Sequence, residues 1–565
     1  MPTRRQELAQ LKAAHNHPVY SVMSYVMGCG VQGRGTGSHV VDEHGRAFLA
    51  LFDQYGNQSF GYNHQRVVAA LVDQIDTGRL NSTKIMFEEE SIRLTERLAA
   101  VTGGRLPFSY LANSGGETID NALKLARAAT GRKEFVSAVD CFHGKTFGAL
   151  SAAGRPEHAS LFAPLLDGFH QVPFNDLDAL ARAIGPDTAA VILEPVQAEG
   201  GVITPAAGYL EEVRRLCTET GALLVLDEMQ TAFGRCGTFF AFEQFGITPD
   251  LVCVGKAFGG GVLPISAVLG TAEVWHALRA LPSTFGSSLG GNPLSCRVGL
   301  ETLALASDEG FLAGVRDKAL LLDGELDALA KEFPELVREH RGLGMMHGLE
   351  FHEESLGGLV LRLLYEGGVT STYSLYNPRV LRVQPPMVIS DEDLRQGISV
   401  LASVLRTVDG FRRGGAEPLR AAVTRSVALN ASAEQVLHLL KARPRALDPF
   451  AADHDVPFVD RPGYRFRGTL GDDAVEWTDT LELSEDTVYA HAEPCWLWRR
   501  LDRTTTVRPG PGGTGCTLDI AIGWDCGTGP YEELLAGRIS YFVQQRIADL
   551  IGRFTSAADR GSFPC

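Results

Sequence analysis

Between about residue 66 and residue 300, short apolar runs alternate with stretches whose apolar residues recur at helical spacing. The continuous runs, which indicate buried strands, lie at 135–137, 189–193, 222–226 and 251–254, and helical segments such as 117–129 and 207–220 separate them. Continuous apolar strands that alternate with helices are typical of a mostly parallel sheet covered on both faces. The pattern therefore predicts a large α/β domain over residues 66–310.

Two flanking segments have a different pattern. In residues 20–60, two short apolar runs bracket the turn Glu43-His44-Gly45, which predicts a hairpin. Residues 311–408 carry helical periods followed by apolar runs at 344–351 and 380–383. We predict that residues 1–65 and 311–410 are the N-terminal and C-terminal parts of a small α+β lobe.

The pattern changes again after residue 410. Residues 411–420 are polar and glycine-rich, which is typical of a linker. Beyond them, apolar and polar residues alternate with period 2 at 424–429, 474–483, 488–493, 498–508 and 517–524, which predicts antiparallel strands with one solvated face. Helices are predicted at 433–440 and 531–554. Residues 421–565 are therefore expected to form a separate α+β domain.

Composition narrows the classes of partner. A chain of 565 residues is long enough for two to four domains. The formal net charge of −16 argues against nucleic acid as a main partner, because phosphate contacts need a basic surface. No apolar window reaches transmembrane length, and the ten cysteines contain no CxxC pair. We predict a cytoplasmic protein with no membrane partner and no metal site.

Two residues at predicted strand ends suggest a specific chemistry. Asp227 ends one apolar run, where the carboxyl ends of parallel strands gather ligands, although a single aspartate there often only caps the next element. Lys256 follows the next strand in a glycine-rich turn, and burial would lower the pKa of its amine and make it a nucleophile. An amine that forms an imine and an acid that pairs with a pyridine nitrogen are the two groups that a pyridoxal phosphate (PLP) enzyme needs.

Two further motifs could bind parts of such a cofactor. Ser114-Gly115-Gly116 precedes a predicted helix, whose free backbone N–H groups could bind a phosphate. Taken alone, Ser114 is equally well explained as an ordinary N-cap residue. Phe142 follows another predicted strand and could stack on a planar ring, although a core position is the commoner role for a single phenylalanine.

Seven motifs together carry a resemblance to a known family. They are "NSGGETIDNALKLAR", "FHGKTFGALS", "EPVQAEGG", "LDEMQTAFGRCG", "GKAFGGG", "GGNPLSC" and "LRVQPPMVI". In order and spacing they resemble the class III (ornithine/acetylornithine-type) aminotransferases of PLP fold type I, over roughly residues 15–408. The resemblance implies PLP as the cofactor, and a large domain with a mostly parallel sheet beside a small α+β lobe.

The resemblance also implies roles for the residues that hold the ring of PLP. Lys256 would bind the cofactor covalently and later shuttle protons between the substrate carbon and the cofactor. Asp227 would pair with the pyridinium nitrogen. Gln230 would hydrogen-bond the phenolic oxygen, and Phe142 would stack on the ring.

The phosphate of PLP is implied to be bound from two subunits. Ser114, Gly115 and Gly116 would bind it within one chain. The family supplies a threonine from the neighbouring subunit, just before an aromatic residue and Gly-Gly-Asn-Pro. This position aligns to Ser288, and Thr284 is the competing assignment. Either assignment implies a homodimer with shared active sites.

Three residues bear on the substrates. Arg382 matches the family arginine that binds the α-carboxylate of glutamate or 2-oxoglutarate. Glu199 matches the gate of ornithine-type members, which pairs with that arginine while an ω-amine is bound; an ordinary surface carboxylate is the alternative. Tyr55 falls at a substrate-binding tyrosine. The resemblance thus implies amino transfer between glutamate/2-oxoglutarate, or another amino donor, and an ω-amine, aldehyde or ketone.

The C-terminal pattern is similar to the START-like helix-grip fold of polyketide cyclase and aromatase relatives. Such folds enclose a cavity, although ordinary core packing also explains these aromatic residues. The residues that could line the cavity or act as acids and bases are Trp477, Trp496, Trp498, Trp524, Tyr541, His491, Glu493 and Arg499. Fusion of the two domains suggests secondary-metabolite biosynthesis, with the C-terminal domain binding or cyclising the product.

Other functions fit parts of the pattern. The same motifs serve decarboxylating transaminases, aminomutases and racemases, which use a keto acid differently or not at all. The chain could also be a ligand-binding protein with a degenerate aminotransferase half. The intact set of Lys256, Asp227 and Gln230 argues against that last interpretation.

Overall fold

In the computed structural model of the chain, the described residues are 31–81, 85–155, 160–280 and 285–414, together with isolated positions before residue 31 and strand segments between residues 418 and 528. The chain divides into two compact units. One unit is Gln32–Leu405, and the other comprises Met1–Val31 and Arg406–Cys565. Among the described residues, no helix combines the length and the apolar composition needed to cross a bilayer.

In the described residues of the first unit there are fifteen strands and eleven α-helices, the last of which continues beyond Leu405. Its strands are β1 (Gln32–Thr36), β2 (His39–Asp42), β3 (Ala47–Ala50), β4 (Phe108–Ala112), β5 (Glu134–Ala138), β6 (Phe169–Val172), β7 (Thr188–Leu193), β8 (Leu223–Asp227), β9 (Leu251–Val254), β10 (Ser266–Gly270), β11 (Val337–Leu343), β12 (Met346–Phe351), β13 (Val369–Thr370), β14 (Thr372–Ser374) and β15 (Asn377–Val383). Its α-helices are α1 (Gln65–Asp76), α2 (Glu89–Val101), α3 (Gly115–Thr130), α4 (Phe147–Ala152), α5 (Leu177–Ala183), α6 (Tyr209–Thr220), α7 (Ala272–His276), α8 (Pro293–Ala306), α9 (Glu309–Glu332), α10 (Glu354–Glu366) and α11 (Asp391–Gly414).

The central sheet has seven strands in the order β4-β10-β9-β8-β7-β5-β6. The ladders from β9 through β8, β7 and β5 to β6 are parallel, and only β10 runs antiparallel to its neighbours β4 and β9. Every residue of β7 and β9 is buried, as expected for strands that are covered on both faces. The predicted mostly parallel sheet is confirmed.

A smaller pair of sheets completes this unit. The first has the order β1-β2-β3-β13, and its β2–β3 pair is the hairpin predicted around Glu43-His44-Gly45. The parallel pairing of β13 with β3 joins residues 369–370 to residues 49–50, so segments from both ends of the unit share one sheet. The second has the order β11-β12-β15-β14, and it contains Arg382 on β15.

The described part of the C-terminal region is a six-stranded antiparallel sheet. Its strands are β16 (Pro418–Leu429), β17 (Tyr464–Leu470), β18 (Asp473–Leu483), β19 (Thr487–Ala492), β20 (Arg500–Pro509) and β21 (Cys516–Thr528), in the order β16-β21-β20-β19-β18-β17. The alternating runs predicted as strands lie within or overlap five of them, whereas β17 was not predicted. The predicted helices at 433–440 and 531–554, and Trp496, Trp498, Glu493, Arg499 and Tyr541, lie outside the described residues.

Regular elements occupy both ends of the segment 411–420 that was predicted as a linker. Helix α11 continues to Gly414, and β16 begins at Pro418. Residues 411–413 are phenylalanine and two arginines, and arginine in particular is a good helix former, so polar composition alone did not mark the end of the helix. The proline at 418 cannot continue a helix without losing a hydrogen bond, which is consistent with a strand starting there.

Candidate active site

Asp227 and Lys256 lie at the same edge of the central sheet. Strands β8 and β9 pair in parallel, with Asp227 opposite Cys253. Asp227 is the last residue of β8, and Lys256 begins a short 3-10 helix (Lys256–Gly259) two residues after the end of β9. Because the carboxyl ends of parallel strands meet at one edge of a sheet, the fold brings the acid and the amine together.

The backbone of Lys256 is strained. Its φ of +48° lies in the left-handed region that non-glycine residues rarely adopt, at a cost of about 1–3 kcal/mol. The side chain is half-buried. Desolvation by burial lowers the pKa of the Lys256 amine, although the charges of Glu199 and Asp227 oppose this shift. The neutral, nucleophilic form of the amine is therefore more accessible than in an exposed lysine.

Asp227 is buried and paired with a histidine that the sequence analysis did not single out. His143 Nδ1 lies 2.8 Å from Asp227 Oδ2, and the Met229 backbone N–H donates to Asp227 Oδ1 at 3.0 Å. Burial lowers the pKa of His143, but Cys141 and the hydrogen bond with Asp227 outweigh burial and raise it. The imidazole of His143 therefore helps to fix the orientation of the Asp227 side chain. The sequence feature that could have identified His143 is its position directly after Phe142 in the motif "FHGKTFGALS".

A second buried carboxyl group holds the backbone beside Phe142. Glu194 accepts hydrogen bonds from the backbone N–H groups of Phe142 at 2.9 Å and Ala198 at 3.3 Å. Burial raises the pKa of Glu194 to about 7. Phe142 itself is half-buried, and its ring centroid lies 6.1 Å from that of Tyr376. Phe142, the residue predicted to stack on the cofactor ring, is therefore held through its backbone N–H by Glu194. The sequence analysis did not identify this role of Glu194.

Ser114 and Gly115 share a cavity with Lys256. Ser114 is the N-cap of α3, and its side chain accepts from the Glu117 backbone N–H at 3.3 Å. A cavity of about 350 Å³ is lined by Asn57, Asn113, Ser114, Gly115, Lys256 and the segment 261–265. Helix N-terminal N–H groups, a half-buried amine in the same cavity and a buried carboxylate at the same sheet edge fit a cofactor that carries a phosphate, an aldehyde and a ring nitrogen.

Glu199, Arg382 and Gln230 form one buried cluster. Arg382 Nη1 donates to Glu199 Oε1 at 2.7 Å, Arg382 Nη2 donates to Gln230 Oε1 at 2.7 Å, and Gln230 Nε2 donates to Glu199 Oε1 at 3.2 Å. Burial alone would raise the pKa of Glu199, but the charges of Arg382 and Lys256 outweigh it and lower the pKa. Glu199 is therefore an ionised partner of Arg382, and not an ordinary surface carboxylate.

Tyr55 lies beside this cluster. The guanidinium carbon of Arg382 is 5.6 Å from the centroid of the Tyr55 ring and 5.7 Å from that of Phe52. Tyr55 has a φ of +61°, so its loop is held in an unusual conformation. The structure thus brings together all three residues that were predicted to bind substrate.

Ser288 lies at the surface of the chain. It is exposed, as is the neighbouring Leu289, whereas Ser287 contacts Asn113 through its hydroxyl at 2.9 Å from Asn113 Nδ2. The competing residue Thr284 lies outside the described residues. An exposed position is compatible with a contact to a second subunit, which the single chain does not contain.

Comparison with known proteins identifies the family. The family model for aminotransferase class-III matches residues 21–405. The chain therefore belongs to the class-III aminotransferases, PLP-dependent enzymes that transfer an amino group between an amine and a carbonyl compound.

Individual relatives agree with this assignment. A putrescine aminotransferase of Pectobacterium atrosepticum is 38% identical over 392 residues, which cover 67% of this chain and 83% of that protein. The ornithine aminotransferase of Toxoplasma gondii is similar in structure, with a TM-score of 0.66, 29% identity and coverage of 73% of this chain and 96% of that chain. An amine transaminase from an uncultivated Pseudomonas species, solved in its PLP-bound form, has a TM-score of 0.62 at 25% identity and covers 66% of this chain and 94% of that chain.

Proposed function

We propose that the enzyme exchanges the amino group of an ω-amine, such as a diamine, with the glutamate/2-oxoglutarate couple. The observation that carries this proposal is the buried ion pair between Glu199 and Arg382, with an Nη1–Oε1 distance of 2.7 Å. A buried arginine whose partner can leave is a receptor for the carboxylate of a keto acid. The similarity to proteins named putrescine aminotransferase and ornithine aminotransferase supports an ω-amine as the other substrate.

Two substrates can share one site because Glu199 alternates between partners. While an ω-amine without an α-carboxylate is bound, Glu199 neutralises Arg382, as in the present structure. When 2-oxoglutarate enters, its carboxylate replaces Glu199 on the guanidinium. Nε of Arg382 is buried and has no hydrogen-bond partner within the described part of the chain, so it is a further donor for an incoming carboxylate.

The residues around Lys256 and Asp227 have roles that follow from their chemistry. When bound, PLP supplies an electron-accepting ring that stabilises negative charge on the substrate carbon. Lys256 Nζ takes the proton from that carbon and returns it, a task that its lowered pKa favours. Asp227, supported by His143, holds a proton at the ring nitrogen. The further cofactor ligands that we propose are Gln230, Phe142, Ser114, Gly115, Gly116 and the partner's copy of Ser288.

A donor–acceptor matrix tests the substrate proposal. We expect purified holoenzyme to convert 2-oxoglutarate to glutamate when putrescine or another diamine is the donor. Arg382→Ala should raise the KM for 2-oxoglutarate by about tenfold or more, because a bidentate charge-assisted contact is lost. Amino transfer that proceeds equally well to aldehydes without a carboxylate, with no glutamate formed, would contradict the proposal. Turnover without any keto acid would instead indicate an aminomutase or racemase.

We infer further that the enzyme is a homodimer with shared active sites. Ile85 and Phe87 are 96% and 97% exposed, and Leu289 is 52% exposed, so a set of large apolar side chains lacks cover in the single chain. A second copy of this chain would cover them and present Ser288 to the other cofactor site. Light scattering should give about twice the chain mass of 60.9 kDa. A monomeric mass for an active enzyme would contradict this inference.

For the C-terminal region we propose a START-like helix-grip domain that binds or cyclises the amine product in secondary metabolism. The six-stranded antiparallel sheet supports this proposal, since such a fold requires a curved antiparallel sheet. A chain ending at residue 415 tests it. If that shortened enzyme binds PLP and gives the same rates and products as the full chain, the C-terminal domain has no catalytic role. The domain boundaries and the cytoplasmic location stay predictions.

A further inference from the structure

A buried polar chain extends from Arg382 away from Glu199. Gln384, two residues further along, accepts a short hydrogen bond from Arg382 Nη2 through Oε1. Its amide nitrogen donates to Asp53 Oδ1 at 3.0 Å. Arg382, Gln384 and Asp53 are all fully buried. Gln384 therefore bridges the arginine of the proposed carboxylate site and a buried acid that the sequence analysis did not identify.

Asp53 is held rigidly from its other side. Arg235 Nη2 lies 2.5 Å from Asp53 Oδ2, and Ser59 Oγ donates to the same oxygen at 2.8 Å. Arg235 Nη1 in turn donates to the backbone carbonyls of Met345 at 3.0 Å and Pro385 at 2.8 Å. Because Arg235 and Asp53 are both fully buried, the pair cannot exchange its partners for water. The Arg235–Asp53 pair therefore anchors one end of the row of hydrogen bonds that leads through Gln384 to Arg382.

The neighbours of Gln384 determine the orientation of its amide. The carboxylate of Asp53 can only accept hydrogen bonds, and the guanidinium of Arg382 can only donate them. The amide nitrogen must therefore face Asp53, and the amide oxygen must face Arg382. A side chain without both a donor and an acceptor end could not satisfy both partners.

The same acid also fixes the substrate loop. The backbone N–H of Gly56 donates to Asp53 Oδ1 at 2.8 Å. A Cβ atom at Gly56 would lie 3.6 Å from Lys256 Cδ and 3.8 Å from Gln384 Nε2, so the loop passes between the Schiff-base lysine and the bridging glutamine. Asp53 thus positions both the Tyr55–Gly56 loop and the amide that contacts Arg382.

We propose that Gln384 and Asp53 are positioning residues that keep Arg382 in place when Glu199 is released. Of the three acceptors on the Arg382 guanidinium, Glu199 and Gln230 are hydrogen-bonded to each other, and Glu199 is the one that the keto acid would replace. Gln384 is the acceptor that is tied instead to the fixed Asp53–Arg235 pair. It holds Nη2 of the guanidinium and leaves Nη1, which Glu199 would vacate, to the incoming carboxylate.

The positioning of Arg382 by Gln384 should affect binding of the keto acid and not binding of the diamine. This inference rests on the proposed role of Arg382 as the carboxylate receptor. While an ω-amine is bound, the ion pair with Glu199 is itself sufficient to hold Arg382. After Glu199 leaves, Gln230 and Gln384 remain as acceptors of Arg382 Nη2, and of these two Gln384 is the one hydrogen-bonded to the fixed Asp53–Arg235 pair. Loss of Gln384 should therefore weaken binding of 2-oxoglutarate and spare binding of the diamine.

Gln384→Met in the full-length holoenzyme tests the proposal, because methionine keeps the length and volume and removes both polar ends. We expect the KM for 2-oxoglutarate and the inhibition constant of glutarate to rise about tenfold or more, which corresponds to about 1.4 kcal/mol. The KM for the diamine should change by less than about threefold. Gln74→Met is the matched control: it makes the same exchange at a buried glutamine of helix α1 that has no part in these contacts, and it should leave the ratio of the two KM values unchanged.

A second variant keeps the test decisive if Gln384→Met does not fold. Gln384→Asn retains the amide but is one carbon too short to reach both Asp53 and Arg382, so it should change the same ratio in the same direction. Equal changes in both KM values, or no change, would overturn the proposal. If Arg382→Ala also leaves the KM for 2-oxoglutarate unaltered, the proposed function itself fails; if only the Gln384 variants have no effect, this inference alone fails.

Discussion

At the scale of single residues, Lys256 combines a left-handed backbone with a side chain whose charged form is disfavoured. Burial lowers the pKa of its amine, and the φ of +48° is a conformation that an L-residue adopts only when its surroundings enforce it. Both features cost stability. The lowered pKa supports the proposal that the amine reacts with an aldehyde near neutral pH.

The pKa of Lys256 leads to a prediction about pH. The neutral amine is the reacting form, and its fraction rises as the pH passes upward through the pKa. Because the pKa is lowered from 10.5, capture of PLP by the cofactor-free enzyme should reach half its maximal rate at a pH below 10.5. Stopped-flow absorbance across pH measures this rate, and Lys256→Ala is the control that should show no capture. A midpoint at or above 10.5 would contradict the account.

Glu194 predicts a pH dependence of stability. Its pKa is raised by burial from 4.5 to about 7, so between these values the folded protein binds a proton that the unfolded chain has lost. Stability from this group is fully present below pH 4.5 and decreases as the pH rises towards 7, by roughly 3 kcal/mol. Between pH 4.5 and pH 7, the free energy of unfolding measured with urea should fall less for Glu194→Gln than for the wild type, by roughly 3 kcal/mol. Equal losses in both proteins would show that Glu194 ionises normally.

Pairing across long sequence distances explains which site residues the sequence could not predict. Lys256, Asp227, Glu199 and Arg382 were found because they lie in motifs of a known family. His143 and Gln384 lie in two of these motifs, and Asp53 lies two residues before Tyr55. Each contacts a partner that is distant in sequence: 84 residues for His143 and Asp227, and 331 for Asp53 and Gln384. A hydrophobic pattern records which face of an element is buried, and it does not record such contacts.

At the scale of elements, the apolar runs predicted the existence of strands better than their directions. Strands β5, β7, β8 and β9 lie within one or two residues of the predicted runs. All five residues of the antiparallel strand β10 are buried, as are all residues of the parallel strands β7 and β9, so burial on both faces carries no information on strand direction. Strand β11 was not predicted because most of its residues are polar and partly exposed, so it lacks a continuous apolar run.

The turn after Lys256 is the element that positions the amine. Gly260 has a φ of +59°, and a Cβ there would lie 2.6 Å from Val67 Cγ1, a fully buried side chain. Gly260→Ala should therefore destabilise the protein by about 1–3 kcal/mol and weaken PLP binding. Thermal unfolding and a PLP titration measure the two effects.

Gly314 provides the matched control for that substitution. It lies inside helix α9, and a Cβ there would meet no atom within 4 Å. Gly314→Ala should stabilise the protein by about 0.5–1 kcal/mol, because alanine loses less conformational entropy in a helix than glycine. If both substitutions changed the stability in the same direction, the strained turn would not be the cause of the effect at Gly260.

At the scale of the whole molecule, an aminotransferase unit and a second unit with an antiparallel sheet occupy one chain. The family match ends at residue 405, the last residue of the first unit. The family match, residues 21–405, therefore covers the whole of the first unit, Gln32–Leu405. The sequence pattern predicted residues 1–65 in the small lobe, whereas the structure groups Met1–Val31 with Arg406–Cys565, because a local pattern does not record which distant segments contact each other.

The central claim, that Lys256 is the residue that binds PLP covalently, is tested most directly by chemical trapping. Borohydride reduction of the full-length holoenzyme, followed by digestion and mass spectrometry, reports the labelled lysine without reference to turnover. We predict a phosphopyridoxyl group on the peptide that contains Lys256, and no labelled peptide in Lys256→Ala. A label on another lysine, or the same label in Lys256→Ala, would contradict the account.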